Sequence, residues 1–222
     1  MYTSYLKILK FHLRSCKFVK CLPFEFAKNS GRIVLTRNLG RIRMFRFQCV
    51  LSVIYTGAMF VNICFGWLTL TEKFQGIVFF SLFFIACIHR WNWNLDITGI
   101  QVINSFLEFE EVVLKDNPPP QLSLGAKLMR IFIPTAGISL MGAPILQVLL
   151  LIFAPCTPPF IMSMRPDCKD LAGFSVTQLG LHLFEGWMFL HMLMAGGTWI
   201  IYVFFTGIVS LLTYFRILKG YG

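Results

Sequence analysis

Long apolar stretches separated by short polar segments dominate this chain, and the first apolar stretch begins only at residue 47. Four such stretches hold few or no charged residues: 47–70, 74–93, 131–154 and 188–212. A helix of about 20 apolar residues crosses a hydrocarbon core of roughly 30 Å, because each residue adds about 1.5 Å. The pattern therefore predicts an all-α, polytopic membrane protein with four transmembrane helices.

The basic residues fall in alternate connections between these stretches. Of the 20 Lys and Arg residues, 11 precede residue 47, six lie in residues 89–130 or after residue 212, and three lie in the other two connections. The positive-inside rule then predicts that both termini are cytoplasmic. The expected organisation is a basic cytoplasmic segment (1–46), a four-helix transmembrane domain (47–222), a cytoplasmic loop (94–130) and an outer loop (155–187).

The N-terminal segment accounts for the whole net charge of +10, since Glu25 is its only acidic residue. On a helix, Lys7, Lys10, Arg14 and Lys17 share one stripe, and Leu6, Leu9, Leu13 and Cys16 share another. This arrangement favours a basic helix against anionic lipid over a nucleic-acid partner. A mitochondrial presequence has a similar composition. The plasma membrane is the expected location, with a mitochondrial membrane as the alternative.

The sequence also predicts how the apolar stretches continue. Residues 22–46 are interrupted by Pro and Gly residues, a pattern typical of an extended or looped approach to the first helix. The second helix is expected to continue past Arg90, with Arg90 snorkelling toward water, and to project as an amphipathic extension. Glu108, Glu110 and Glu111 on that extension are expected to form a solvated face. Gly196–Gly197 indicates either close helix packing or a hinge.

Sequence motifs for catalysis, metal binding and cofactor binding are absent from the 222 residues. The four His residues share no i,i+4 spacing with a carboxylate partner, and no Gly-rich phosphate loop or Cys-x-x-Cys occurs. We therefore expect neither an enzyme nor a bound cofactor or metal.

A polar and aromatic stripe on the fourth helix is the candidate ligand site. It comprises Trp187, His191, Met194 and Thr198, with His182 and Glu185 just outside the expected membrane boundary. Polar residues in a membrane helix face protein or a water-filled cavity rather than lipid. The stripe thus indicates either an outward-facing pocket for a small organic ligand or interhelical hydrogen bonds.

Two of the seven Cys residues, Cys156 and Cys168, fall in the predicted outer loop. An oxidising exterior permits a disulfide between them. The sequence leaves a bridge and two free thiols as alternatives.

The layout resembles the N-terminal half of the arthropod gustatory and odorant receptors. The resemblance rests on the basic leader with Leu22-Pro23-Phe24, the short hairpin after Leu70, and the segment Asn104-Ser105-Phe106-Leu107-Glu108-Phe109-Glu110. It implies seven membrane helices and subunits that assemble, with themselves or with related subunits, into ligand-gated cation channels. It also implies that this chain is a truncated or partial form, since three further helices would follow Gly222.

Two functions from different classes remain open on the sequence. One is a chemoreceptor-like ligand-gated cation channel subunit, and the other is a four-helix membrane adaptor or accessory subunit with no ligand-gated activity. A small transporter is disfavoured, because the expected spans hold no buried acid or base suited to ion coupling.

Overall fold

The computed structural model describes residues 2–27, 30–113, 124–166, 168 and 175–220. In chain order its elements are α1 (Tyr2–Val19), β1 (Phe24–Phe26), β2 (Ile33–Leu35), α2 (Leu39–Phe65), α3 (Leu70–Arg90), α4 (Thr98–Val113), α5 (Leu124–Phe153), α6 (Val176–Gly197), a π-helical segment (Thr198–Phe205) and α7 (Thr206–Gly220). A 3₁₀ turn, Ile161–Met164, lies between α5 and α6.

Four helical stretches of the described chain are long and apolar enough to cross a membrane. They are Leu39–Phe65, Leu70–Arg90, Lys127–Phe153 and Val176–Phe215. Their number and approximate positions agree with the four stretches that the sequence predicts, so the helical, four-span part of the prediction is confirmed at the level of length and composition. The sidedness of the termini stays a prediction.

The end of the second apolar helix differs from the expectation. Helix α3 stops at Arg90, Trp91 adopts an extended backbone conformation, and α4 is a separate helix rather than a continuation. The break has a local cause, because Asn92 Oδ1 accepts a hydrogen bond from the amide of Asp96 (2.6 Å), and Asp96 Oδ1 accepts from the amide and hydroxyl of Thr98. Side-chain bonds of this kind compete with helical backbone bonds and start a new helix.

The chain forms two compact units. Unit 1 comprises Met1–Phe45, Asn92–Ser139 and Gly197–Gly222, and unit 2 comprises Arg46–Trp91 and Leu140–Gly196. The domain boundary that the sequence suggests near residue 47 stays a prediction.

In unit 1, the amphipathic α1 packs its apolar stripe against protein. Tyr2, Tyr5, Leu9, Leu13 and Cys16 are all buried, and α1 contacts β1, α4 and α7. Residues spaced three and four apart line one face of a helix, which explains this selection. The apolar stripe of α1 is therefore occupied by the unit itself.

The segment expected to be looped contains a short antiparallel hairpin. Phe24 pairs with Leu35 and Phe26 with Ile33. From α4, the Asn104 carboxamide accepts from the amide of Ile33 and donates to its carbonyl, both at 2.9 Å. A carboxamide reproduces the bonding pattern of a neighbouring strand, so α4 holds the outer edge of the hairpin. The expected extended or looped approach over residues 22–46 thus contains two extended strands, and only its last part differs, because α2 already begins at Leu39.

Glu110 on α4 is buried, which corrects the expectation of a solvated acidic face. Its carboxylate accepts hydrogen bonds from the amides of Tyr2 and Thr3 and from the hydroxyl of Tyr214. The first amides of a helix lack intrahelical acceptors, and a carboxylate beside them satisfies both the hydrogen bonds and the helix dipole. Burial by itself raises the pKa of Glu110, but these hydrogen bonds outweigh it and hold the pKa below its ordinary value. Glu108, by contrast, is exposed.

The π-helical segment is tied to α1 at two places. The Tyr2 hydroxyl donates to the carbonyl of Tyr202 (2.9 Å), and a His12 ring nitrogen lies 2.8 Å from the Thr198 hydroxyl. A π turn shifts backbone carbonyls away from the amides that they would bond in an α-helix. Hydrogen-bond donors from other elements can then reach these carbonyls. The N-terminal helix thus packs along the widened turn within unit 1.

Unit 2 has a core of aromatic and sulfur-containing side chains. Its buried members are Tyr55, Met59, Phe83, Ala86, Leu151, Phe160, Met188, Phe189 and Met192. Gly196 of α6 lies against α3, where an added Cβ would meet the Ala86 carbonyl oxygen at 3.3 Å. The small residue permits close contact of the two helices, which is the packing alternative for this glycine.

Candidate functional site

Helix α2 carries a row of buried polar side chains through an otherwise apolar sequence. Gln48, Ser52, Tyr55 and Asn62 are spaced by four, three and seven residues, which places them on one face, and each is at most 5% exposed. Burial of a polar group without a hydrogen bond costs about 1–3 kcal/mol. The row therefore requires partners from neighbouring elements of unit 2.

Arg90, at the end of α3, supplies partners for the first two members of this row. Its guanidinium donates to the Ser52 hydroxyl (3.1 Å) and to Gln48 Oε1 (3.0 Å), and it contacts the imidazole of His191. Only 1% of Arg90 is exposed. The expectation that Arg90 snorkels toward water was therefore wrong, because α3 ends where the side chain turns inward among polar acceptors.

His191 is the α6 component of this first cluster. It is fully buried, and its Nε2 has no hydrogen-bond partner within the described chain. The Trp187 ring lies edge-on to the imidazole, with the ring centroids 4.6 Å apart. Trp187 and His191 thus lie together, and Nδ1 is the ring nitrogen of His191 that contacts Arg90.

Glu185 forms a second cluster six residues earlier on α6. It is fully buried, and its Oε1 accepts from the amide of Ile161 (2.6 Å) and from the Tyr55 hydroxyl (3.4 Å). Its other oxygen lies 3.6 Å from His182 Nδ1. The carboxylate therefore joins three elements, which are α2, α6 and the connection that contains the 3₁₀ turn.

The connection between α5 and α6 is folded onto unit 2 rather than left loose. Cys156 and Cys168 are joined by a disulfide, with their Cα atoms 5.9 Å apart. Asn62 of α2 donates to the Ser163 hydroxyl (2.9 Å), and Phe160 is fully buried. The connection is thus held by a covalent bond, by side-chain hydrogen bonds and by an apolar anchor.

The structure brings together most, but not all, of the residues singled out on the fourth helix. His182 and Glu185 share one cluster, Trp187 and His191 share the other, and Met194 is fully buried in the same unit. Thr198 belongs to unit 1, where it contacts His12. The stripe is therefore interrupted where α6 changes to the π-helical segment.

Sequence reasoning missed Gln48, Ser52, Tyr55 and Arg90. The signal was present, since polar residues recur at 48, 55 and 62, a seven-residue spacing that marks one face of a helix. The argument against a transporter was also wrong in its premise. Glu185, Arg90 and His191 are ionisable residues buried within the apolar helices, and such residues mark functional positions in membrane proteins.

Metal chemistry finds little support in the residues of this site. Among the described residues, no three His, Cys, Asp or Glu side chains cluster in a way that could hold a metal ion. The polar groups of the two clusters are suited instead to hydrogen bonding and to charge pairing with an organic ligand.

Comparisons with known proteins give no relative: no family model, curated protein or solved structure matches this chain. What the fold defines is a helical chain with four helices of membrane-spanning length. Its function must accordingly be inferred from the site.

Proposed function

We propose that this chain is an integral membrane protein that acts as a chemoreceptor-like, ligand-gated cation channel subunit of the gustatory or odorant type, or as a partial form of one. The observation that carries the proposal is the position of Glu185. A buried carboxylate contacts both a membrane-type helix, through Tyr55, and a disulfide-closed connection, through Ile161. A ligand that competes for this carboxylate would alter the contacts of both elements.

The same helix offers a route from the ligand to the rest of unit 2. His191 lies six residues beyond Glu185 on α6 and contacts Arg90, which is bonded to the polar row of α2. A helix transmits a displacement along its axis as a rigid element, so a shift of α6 would be felt by both clusters. This is the physical basis for coupling ligand binding to a helix rearrangement.

The ligand class follows from the side chains. Tyr55, which bonds Glu185, has its ring edge-on to Phe184 with the centroids 6.2 Å apart, and Phe184 in turn lies 6.0 Å from Trp187. Aromatic faces with one carboxylate favour a small, largely apolar molecule that carries a hydrogen-bond donor or a positive charge.

The test is ligand-evoked cation current in cells that express the chain, with the surface amount measured in parallel. We expect a panel of small amines and alcohols to include an agonist, and Glu185→Gln to shift its dose–response curve by about tenfold or more, since a charged hydrogen bond contributes roughly 1.5–3 kcal/mol. Glu72→Gln, outside these clusters, is the matched control. Absence of any evoked current, with the chain at the surface, would contradict the channel proposal.

A second candidate is an adaptor or accessory subunit, and the filled core of unit 2 favours it. Phe83, Phe160 and Met188 are all fully buried in one continuous cluster, an arrangement suited to a static scaffold. Cross-linked co-purification with one defined membrane partner, without evoked current, is the expected result for this candidate.

A further inference from the structure

The outward face of α1 combines cations with aromatic side chains. Lys7, Lys10, Arg14 and Lys17 are exposed there, and Phe11 and Phe18 lie on the same face with exposures of 63% and 89%. The opposite face of α1 is the one buried in unit 1, so packing within the unit does not account for this exposed surface. Large exposed aromatic side chains next to several cations indicate an interaction surface.

A groove lies beside this face, and its volume is in the range of small-molecule sites. It encloses about 680 Å³ between α1 and β1 and is lined by the four cations, together with Phe26 and Glu25 among others. The Lys10 ammonium lies 4.3 Å from the centre of the Phe26 ring, a cation–π contact that fixes its position at the groove.

The charge of the groove remains positive after its acid is counted. The Glu25 carboxylate lies 3.6 Å from Lys17 Nζ and 3.2 Å from Arg41 Nη1, so two cations share this one anion. Lys7, Lys10 and Arg14 add three further positive charges to the lining. An anionic group is therefore the complementary occupant.

We propose that the outer face of α1, with the groove beside β1, is a docking site for the phosphate-bearing headgroups of anionic lipids at a bilayer surface. Cations alone would attract any polyanion, but Phe11 and Phe18 are suited to the boundary between headgroups and acyl chains. The inference rests on the membrane location in the proposed function, although it needs no ligand gating.

Binding of short-chain lipids to the detergent-purified chain tests the site. Dioctanoyl phosphatidylserine is the probe, dioctanoyl phosphatidylcholine controls for the acyl chains, and glycerophosphoserine supplies the anionic headgroup alone. We expect binding of the first only, weakened when salt is raised from about 0.1 M to about 0.5 M. Equal affinity for glycerophosphoserine would overturn the bilayer assignment in favour of a free-anion site.

Charge reversal at Lys10→Glu/Arg14→Glu should weaken binding of phosphatidylserine at least about tenfold, whereas Arg37→Glu/Arg43→Glu, with the same change in net charge, should weaken it far less. Both pairs are exposed, and Lys10→Gln/Arg14→Gln provides a milder second variant. Phe11→Ser/Phe18→Ser should cost several-fold without creating affinity for glycerophosphoserine. Equal losses in the two charge-reversal pairs would overturn the site.

The outcomes separate this inference from the proposed function. If the chain binds phosphatidylserine but gives no evoked current, the docking site is supported and only the channel proposal is contradicted. If the chain resists alkaline extraction from membranes but binds phosphatidylserine no better than phosphatidylcholine, only the docking-site proposal is contradicted.

Discussion

The backbone amide of Ile161 donates a hydrogen bond of 2.6 Å to the buried carboxylate of Glu185. The two residues are 24 positions apart, one in the 3₁₀ turn and the other in α6. This single bond makes the turn depend on an acidic side chain inside an apolar helix. It also suggests how a change at the connection could reach the buried polar row of α2.

Loss of the Glu185 carboxylate should loosen the connection. Glu185→Ala leaves the Ile161 amide and the Tyr55 hydroxyl without their acceptor, at an expected cost of about 1–3 kcal/mol. Glu185→Gln retains an acceptor oxygen and should cost less. Thermal unfolding of the detergent-purified chain measures both effects, and an unchanged midpoint for Glu185→Ala would contradict the anchoring role.

Arg90 and Gln48 should be energetically coupled, because the guanidinium donates to the carboxamide inside the core of unit 2. In a double-mutant cycle of Arg90→Met and Gln48→Leu, we expect a coupling of about 0.5–3 kcal/mol. Pairing Arg90→Met with Arg43→Met, on an exposed position of α2, should give additive effects. Additivity in both cycles would indicate that the buried contact is not formed.

Glu110 should make the attachment of α1 dependent on pH. Burial opposes its ionisation, but hydrogen bonds from Thr3 and Tyr214 dominate and keep its folded pKa below the ordinary value. A depressed folded pKa contributes stability that is fully present above the unfolded pKa, near 4.3, and is lost as pH falls through the folded pKa.

Hydrogen exchange of α1 amides tests this dependence. At pH 6–7, Glu110→Gln should exchange faster than wild type, and the difference should shrink as the pH falls below about 4. Glu108→Gln, on the exposed side of α4, should match wild type throughout. A pH-independent difference would assign the effect of Glu110 to packing instead of charge.

The disulfide in the connection between α5 and α6 can be tested by counting free thiols. The chain has 7 Cys, of which 5 are free in the structure. Alkylation of the denatured chain should therefore add two more groups after reduction than before it. Cys156→Ser/Cys168→Ser should lower stability by about 2–4 kcal/mol in the entropic description of loop closure. Equal alkylation with and without reduction would refute the bridge.

Close packing at Gly196 predicts a position-specific effect of a single methyl group. Gly196→Ala places a Cβ 3.3 Å from the Ala86 carbonyl oxygen, so the helices must separate by a few tenths of an ångström. We expect a lower unfolding midpoint. Gly142→Ala on α5 meets nothing within 4 Å and should be neutral or stabilising, because Ala favours the helix by up to about 1 kcal/mol. The same response at both positions would favour the hinge interpretation of Gly196.

The sequence by itself determined where the apolar helices lie, because length and hydropathy are local properties of the chain. It also paired Cys156 with Cys168 as one of two alternatives and placed His182, Glu185, Trp187 and His191 on one helix. These inferences need only the periodicity of a helix and the thickness of a bilayer.

Tertiary structure decided which polar residues are buried together. Arg90 lies near the end of an apolar stretch and Glu110 lies among other acids, so composition places both toward water. Each is buried because its partners come from distant segments: Gln48 and Ser52 for Arg90, and the first turn of α1 for Glu110. From the sequence alone, the cost of burying a charged side chain favours placing it in water. Only the tertiary structure shows the hydrogen bonds that offset this cost.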